Sequence, residues 1–396
     1  MARRPRVHSR DIQPQLATPK GLLAVARVQR FDWPLNLPTE TIDELGRKLH
    51  VGKTQQTPEV TVTVEAFDVS HRTISYLTGY TPSTFPTPSG ISITELKSVD
   101  VIGQIRDSST LGIVNALYVK RGTITGMDAS FGVRDNSTVT YTVTANSKKE
   151  LRNPVYYENF TLGSGNQVQA LAQAPVWLPV TSGYVLSAYR TTSAGSSVYL
   201  DEGVDFSVTG SNVTFTGAGT STGDTVWVTY TSTTAKTFEA LNDVDPAAVQ
   251  GKYVPLVISV STIPRAQSAT IRLAYDVENI YELGGLGKPV GTELGVPNVT
   301  GDVSVLKTDN DLVNLLTGQP TTADETDMEY AKNNLPLKVQ LKDPRNTAQV
   351  LLTYYVPSIT ITSEGDSSSV NQSMTETFAW ESTTGDLYIA SGAGPW

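Results

Sequence analysis

The chain repeats itself, and an internal repeat constrains a fold more than any single motif does, because each unit must fold beside a second copy of itself. Glu44-Leu45-Gly46, Pro58-Glu59-Val60-Thr61, Val64 and Leu77-Thr78-Gly79 recur as Glu282-Leu283-Gly284, Pro297-Asn298-Val299-Thr300, Val303 and Leu316-Thr317-Gly318. The offset is 238 residues between Glu44 and Glu282 and 239 between Gly79 and Gly318, so one single-residue gap spans the stretch. Further on, Gln104-Ile105-Arg106-Asp107 matches Gln340-Leu341-Lys342-Asp343 and Tyr118-Val119 matches Tyr355-Val356. Thr123-Ile124-Thr125 matches Thr360-Ile361-Thr362, and Tyr141 and Val143 fall on Phe378 and Trp380. Roughly residues 20–152 and 253–390 read as two copies of one unit.

Each unit reads as β-structure. Val60-Thr61-Val62-Thr63-Val64, Thr138 to Val143 and Asp224 to Tyr230 alternate β-branched or aromatic residues with a period of two, the pattern of half-buried strands. Helical periodicity is confined to Ser70 to Thr78 and Asp309 to Thr317, each opened by a capping residue and closed by Gly79 or Gly318. Between the copies, Val176-Trp177-Leu178, Tyr184 to Leu186, Val198 to Leu200, Phe206 to Val208, Val213 to Phe215 and Val226 to Tyr230 are spaced like the strands of a small sandwich. The expected division is an extended arm (1–20), a first unit (21–152), an inserted immunoglobulin-like β domain (153–237) and a second unit (238–396). The fold class is all-β with a few short helices.

A chain of 396 residues is long enough for two or three domains, each with its own core. Cysteine is absent, which excludes disulfides and thiolate chemistry. The net charge of −9 argues against a surface that grips phosphate and suits one that nucleic acid must slide past. No run of apolar residues is long enough to cross a bilayer as a helix, and no signal core follows Met1, so a soluble protein made in the cytoplasm is expected.

The motifs that might carry chemistry do not assemble into a site. Gly46-Arg47-Lys48-Leu49-His50-Val51-Gly52-Lys53-Thr54 has five residues between its glycines where a phosphate loop has four, and in the second copy Pro289 follows Gly287-Lys288. Gly284-Gly285-Leu286-Gly287 opens no helix after a buried parallel strand. His8, His50 and His71 have no metal-binding spacing, and Asn310 stands opposite His71 in the repeat. Asp201, Glu202 and Asp205, and the run Asp324, Glu325, Asp327 and Glu329, offer paired carboxylates in polar stretches that read as solvated turns. No catalytic, cofactor-binding or metal-ligating residues are assigned, and no enzyme activity is expected. The one dense basic patch is Arg3, Arg4, Arg6 and Arg10, in a proline-containing arm that reads either as a solubilising tail or as a segment that docks on an acidic surface of the next ring.

Two similar β units in one chain suit a ring of three chains that is locally sixfold, with edge strands joined into a continuous barrel around a channel. On Asp43-Glu44-Leu45-Gly46 and Tyr281-Glu282-Leu283-Gly284, the glycine-rich loop after each, the following strand and the short helix ending Leu-Thr-Gly, the chain resembles the tail tube proteins of tailed bacteriophages over about two thirds of its length. The resemblance implies a β-sandwich with a flanking helix, a tube in the virion tail with a negatively charged lumen for DNA, and loops that contact adjacent rings. It implies partners in further copies of the chain and in tape-measure, tail terminator and baseplate proteins. The duplication departs from the family's usual single unit and hexamer, and points to trimers. The alternatives are a connector or baseplate ring of the same fold, and a carbohydrate-binding adhesin or glycosidase. Against the adhesin, Trp33, Trp177, Trp227, Trp380 and Trp396 are scattered rather than gathered in a platform.

Overall fold

The structure, a computed structural model, describes residues 9–18, 20–42, 52–55, 58–68, 72–78, 91–92, 99–163, 167–179, 182–192, 197–216, 223–241, 246, 248–281, 289–307, 311–317, 333–368 and 373–394. The protein is all-β, with two short α-helices among the described residues. The first half carries β1 (Ile12–Thr18), β2 (Gly21–Ala24), β3 (Val28–Asp32), β4 (Leu35–Asn36), β5 (Thr39–Ile42), β6 (Gly52–Gln55), β7 (Glu59–Ala66), α1 (Arg72–Thr78), β8 (Ile91–Ser92), β9 (Val99–Arg106), β10 (Ile113–Gly132), β11 (Thr138–Ala145) and β12 (Lys148–Leu151). The middle carries β13 (Val155–Thr161), β14 (Gln167–Ala170), β15 (Val185–Thr191), β16 (Ser197–Leu200), β17 (Phe206–Thr209), β18 (Asn212–Phe215) and β19 (Thr225–Thr231). The last part carries β20 (Leu256–Ile258), β21 (Ser261–Thr262), β22 (Ala266–Tyr281), β23 (Pro289–Leu306), α2 (Asp311–Thr317), β24 (Leu335–Asp343), β25 (Asn346–Ser367), β26 (Thr375–Ser382) and β27 (Tyr388–Ser391).

The period-two pattern decides which face of each strand is buried. In β7, Val60, Val62, Val64 and Ala66 enter the core while Thr61, Thr63 and Glu65 face outward; in β11, Val139, Tyr141, Val143 and Ala145 do the same against Thr138, Thr140, Thr142 and Thr144. Long β10 begins in a sheet with β9 and β12 and, after two bulges, ends in a sheet with β11, so one strand joins both layers.

The first and last parts repeat this architecture down to its irregularities. α1 and α2 are seven residues each and 239 apart. β3 meets β7 across a bulge between Val28 and Arg30, and β22 meets β23 across one between Ala266 and Ser268. The bulge between Ile124 and Gly126 in β10 recurs between Ile361 and Ser363 in β25. Arg27 and Arg265 both take positive φ, 57° and 59°, and each carbonyl accepts a hydrogen bond from the side chain two residues on, Gln29 Nε2 and Gln267 Nε2, at 3.0 Å. Bulges and left-handed residues are local departures from ideal strands, and unrelated sandwiches do not share them by register.

The same position is filled in different ways. Val62 lies opposite Val143 in the first part, whereas Gly301 lies opposite Trp380 in the last. A Cβ on Gly301 would collide with the Trp380 ring and the Thr270 carbonyl, so the small residue makes room for the large one.

The middle strands form two sheets, β13-β19-β15-β16 and β14-β18-β17, closed around Phe206, Val213, Phe215, Val226, Val228 and Tyr230. Val176 to Leu178, expected as a strand, is not one: Leu178 makes an isolated bridge with Gly183, and Val176 N–H donates to the Thr231 carbonyl at 2.9 Å. The expected extended arm over 1–20 differs more. Ile12–Thr18 is a strand paired with β2 and β9, and Pro14 to Thr18 are buried. Its polar residues are buried with partners: Gln13 Nε2 donates to the Glu239 carbonyl and Gln15 Nε2 to Gln13 Oε1, both at 2.8 Å.

Candidate assembly interface

The two repeats meet strand to strand. Gly126 to Gly132 of β10 pair antiparallel with Ala274 to Ser268 of β22, joining the sheets in the order β3-β7-β11-β10-β22-β23-β26-β25. On the core side of this junction Met127, Ala129 and Phe131 oppose Leu273, Ile271 and Ala269, all buried, and the Phe131 ring sits edge-on to Tyr354 with centroids 5.6 Å apart. Such burial contributes roughly 1.5–3 kcal/mol per large side chain. On the outward face Asp128 stands opposite Arg272, which also reaches Asp302 at 3.4 Å; burial raises the Asp128 pKa and the guanidinium opposes that.

The two outer strands of the eight are the counterparts of the two strands that meet inside. Among the described residues, β3 and β4, the counterpart of β22, form one free edge, and the end of β25, the counterpart of the end of β10, forms the other. Along the first edge Phe31, Trp33 and Leu35 stand where the junction has Ala269, Ile271 and Leu273, and Leu35 and Leu37 are exposed. Pro34 does not block this edge, because its carbonyl accepts from Thr61 N–H of β7; both backbone groups of one residue face the same neighbour. Along the second edge Glu364 and Asp366 replace Met127 and Ala129, and on β26 behind it the buried Glu376 replaces Val139. Lys307 Nζ sits among them, 2.7 Å from Asp366 and 2.8 Å from Glu376, and these bonds raise its pKa. Burial, and then the hydrogen bond and charge of Glu376, raise the Glu364 pKa.

The outward face of the eight-stranded sheet is a carpet of threonine and serine with scattered charge. One row runs across it through Arg30, Glu65, Thr140, Asp128, Arg272, Thr300, Glu381 and Thr360, each directly opposite the next. Asp32, Glu65, Asp128, Asp302 and Glu381 outnumber Arg30 and Arg272, and both arginines are bonded to aspartates, Asp32 and Asp302. Each repeat also projects a hairpin beyond the sheet, β5 with β6 in the first and the far ends of β22 and β23 in the second. Ile280 and Val296 on the longer arm are exposed.

The inserted sandwich is fixed to the first repeat through Asp100, which is fully buried. Its carboxylate accepts from Tyr118 OH at 2.6 Å, Tyr189 OH at 2.8 Å, Arg121 N–H at 2.9 Å and Ser187 OH. Burial, then the Asp100 charge, holds the Tyr118 and Tyr189 hydroxyls protonated. Ala17, Ile102, Val155 and Leu186 pack around the network.

His8, His50, His71, Arg3, Arg4, Arg6, Trp396, both Glu-Leu-Gly motifs, Gly287 and the run from Asp324 to Glu329 lie outside the described residues. Of the near-phosphate loop, Gly52 to Thr54 belong to strand β6. The Glu202 and Asp205 carboxylates organise a turn: Glu202 accepts from the Tyr184 and Val185 N–H groups, and Asp205 Oδ2 accepts from Asp201 N–H at 2.8 Å, while the Asp201 carboxylate lies 3.9 Å from Arg121. Trp33 lies at the free edge, Trp177 stacks edge-on with Tyr184, and Trp227 and Trp380 are buried. An edge-to-edge joining of the units was expected from sequence, but not which strands make it, and the Asp100 network was not foreseen; the trace of the second is an aspartate in the apolar run Val99 to Ile102. No protein-family model matches the chain, and no curated protein matches it.

Proposed function

We propose that the chain is a structural subunit of a bacteriophage tail tube that closes into a threefold ring by pairing the end of β25 with β3 and β4 of the next copy. The observation that carries this reading is the β10–β22 junction, an internal example of the same contact between counterpart strands. Making it once more per chain, between copies, closes a trimer with no free edge, which relieves the hazard of exposed strands. Three chains of eight strands, each strand about 4.8 Å from the next and tilted, enclose a barrel about 40 Å or more across, wide enough for a double helix. The outward face of the sheet becomes the wall, and its acidic excess repels phosphate. The hairpin arms then reach the adjacent ring, and the chain performs no chemistry.

Electron microscopy of the purified protein tests the reading through the symmetry of end-on views. Stacked hollow rings with threefold symmetry and six inner lobes are the expected result. Solitary rings would move the assignment to a connector or baseplate ring, and a chain that stays monomeric at every concentration would overturn it.

A further inference from the structure

The repeat extends further toward the N-terminus than its strands. A 3-10 turn at Ser9–Asp11 precedes β1, and one at Gly251–Tyr253 precedes β20. At the same offset of 242, Val7-His8-Ser9-Arg10-Asp11-Ile12 aligns with Val249-Gln250-Gly251-Lys252-Tyr253-Val254.

In the second repeat this lead-in segment is part of the junction. The Val249 carbonyl accepts from Ser137 N–H at 2.7 Å, Gln250 bridges Asn136, and Gly251 N–H donates to the Asp135 carbonyl at 3.0 Å. Val249 is fully buried. The segment thus runs along the end of the β10–β11 hairpin of the other repeat. The counterpart of that hairpin end, between β25 and β26, includes Ser373 and an exposed Met374, beside Glu364, Asp366 and Glu376.

We propose that in the ring the N-terminal arm of each chain crosses to its neighbour, seats Val7 against the β25–β26 hairpin, and lays Arg3, Arg4 and Arg6 on the exposed Glu364 and Asp366, beside the buried Glu376. This rests on the ring reading. Three carboxylates face one ammonium there, so the cluster keeps an acidic excess. Lys307 already occupies its centre, which leaves a surface for spread positive charge rather than a cage for a metal ion. An extended chain covers about 3.3–3.6 Å per residue, which keeps Arg3 to Arg6 within roughly 15 Å of Val7. Ser9 stands where Gly251 is, and a Cβ on Gly251 would collide with the Gly132 carbonyl. The arm therefore lies farther from the edge than its internal counterpart, leaving width for guanidinium groups, which pair well with carboxylates.

The chain has no cysteine, so introduced pairs report cleanly. His8→Cys with Ser373→Cys, treated with a short bis-maleimide at ring-forming concentration, should give covalent dimers and trimers that neither single variant gives. Asn136→Cys with Gln250→Cys serves as the internal control and should link within the chain. Arg3→Glu, Arg4→Glu and Arg6→Glu together should raise the concentration for half-maximal ring formation about tenfold or more. Rings without intermolecular links, or a charge-reversed variant that assembles like the parent, would overturn the arm and leave the ring standing. A parent chain that stays monomeric while the internal control links would overturn both.

Discussion

The ends of β10 and β25 are the same strand in two repeats, and they carry opposite chemistry. The first places Met127, Ala129 and Phe131 under a permanent partner, while the second places Glu364 and Asp366 at an edge open to solvent. A junction made once, inside one chain, can be apolar because it is never exposed after folding. An edge that waits for a neighbour must stay soluble, and charge on an edge strand is the usual protection against indiscriminate pairing. The comparison teaches that duplication freed the inner contact from that demand.

Exchanging the residues tests this most severely. Met127→Glu puts an unpaired carboxylate in the core and should cost about 4 kcal/mol, or abolish folding. Glu364→Met, at the counterpart position, should leave the unfolding free energy of the monomer within about 0.5 kcal/mol of the parent and promote self-association. Denaturant titration and light scattering measure the two. Equal destabilisation by both substitutions would remove the distinction between the strands.

The second test uses the exchanged volumes. Gly301→Val should clash with Trp380 and cost about 3 kcal/mol, and Trp380→Val should leave a cavity of similar cost. The double variant recreates the Val62 and Val143 pair of the first repeat and should recover the part of the loss that comes from the Trp380 ring, while the collision with the Thr270 carbonyl remains. Strict additivity in the double-mutant cycle would mean that the repeats do not offer interchangeable solutions.

Much of this fold was legible in the sequence, and what escaped has a physical reason. The alternation of Val60 to Val64 and the repeat of Leu77-Thr78 in Leu316-Thr317 identified strands and helices because burial imposes periodicity on residue type. β1 was missed because Gln13, Pro14 and Gln15 read as polar loop; their burial depends on acceptors in Glu239 and Gln13 that no local pattern reveals. The free edges were illegible for the same reason: which strand ends a sheet is decided by long-range pairing. The likeness of Val7 to Val249 is present in the sequence, but the arginines around Val7 give the arm the composition of a solvated tail.

A third test concerns the side on which the repeats differ through the insertion. Asp100 has Pro336 as its counterpart, which accepts nothing through its side chain. Asp100→Asn should cost about 2 kcal/mol, because an amide cannot accept all four donors. Limited proteolysis should then release the inserted sandwich faster while leaving the second repeat unchanged. Uniform sensitivity of the whole chain would show that the network is not specific to the insertion.

The smallest effect sharpens the same contrast at one residue. Lys120 and Arg121 stand where the second repeat has Pro357 and Ser358, and the Tyr199 ring of the insertion covers them, with Lys120 Nζ 4.5 Å from its centroid. Burial, followed by repulsion from Arg121 and Lys149, lowers the Lys120 pKa to about 8, while Asp100 and Asp201 oppose the shift. The folded state therefore holds this proton less tightly than the unfolded chain, whose lysine titrates near about 10.4. Below pH 8 both states are protonated and the full penalty of the buried charge is present; between 8 and 10.4 the folded state loses its proton first, so stability rises with pH. Lys120→Met keeps the aliphatic contact with Tyr199 and should stabilise the protein by about 1 kcal/mol at pH 7, with the gain gone by pH 10.5. Chemical denaturation of parent and variant at the two pH values measures it, and an unchanged difference between them would show that the lysine is solvated as freely as its exposed counterparts.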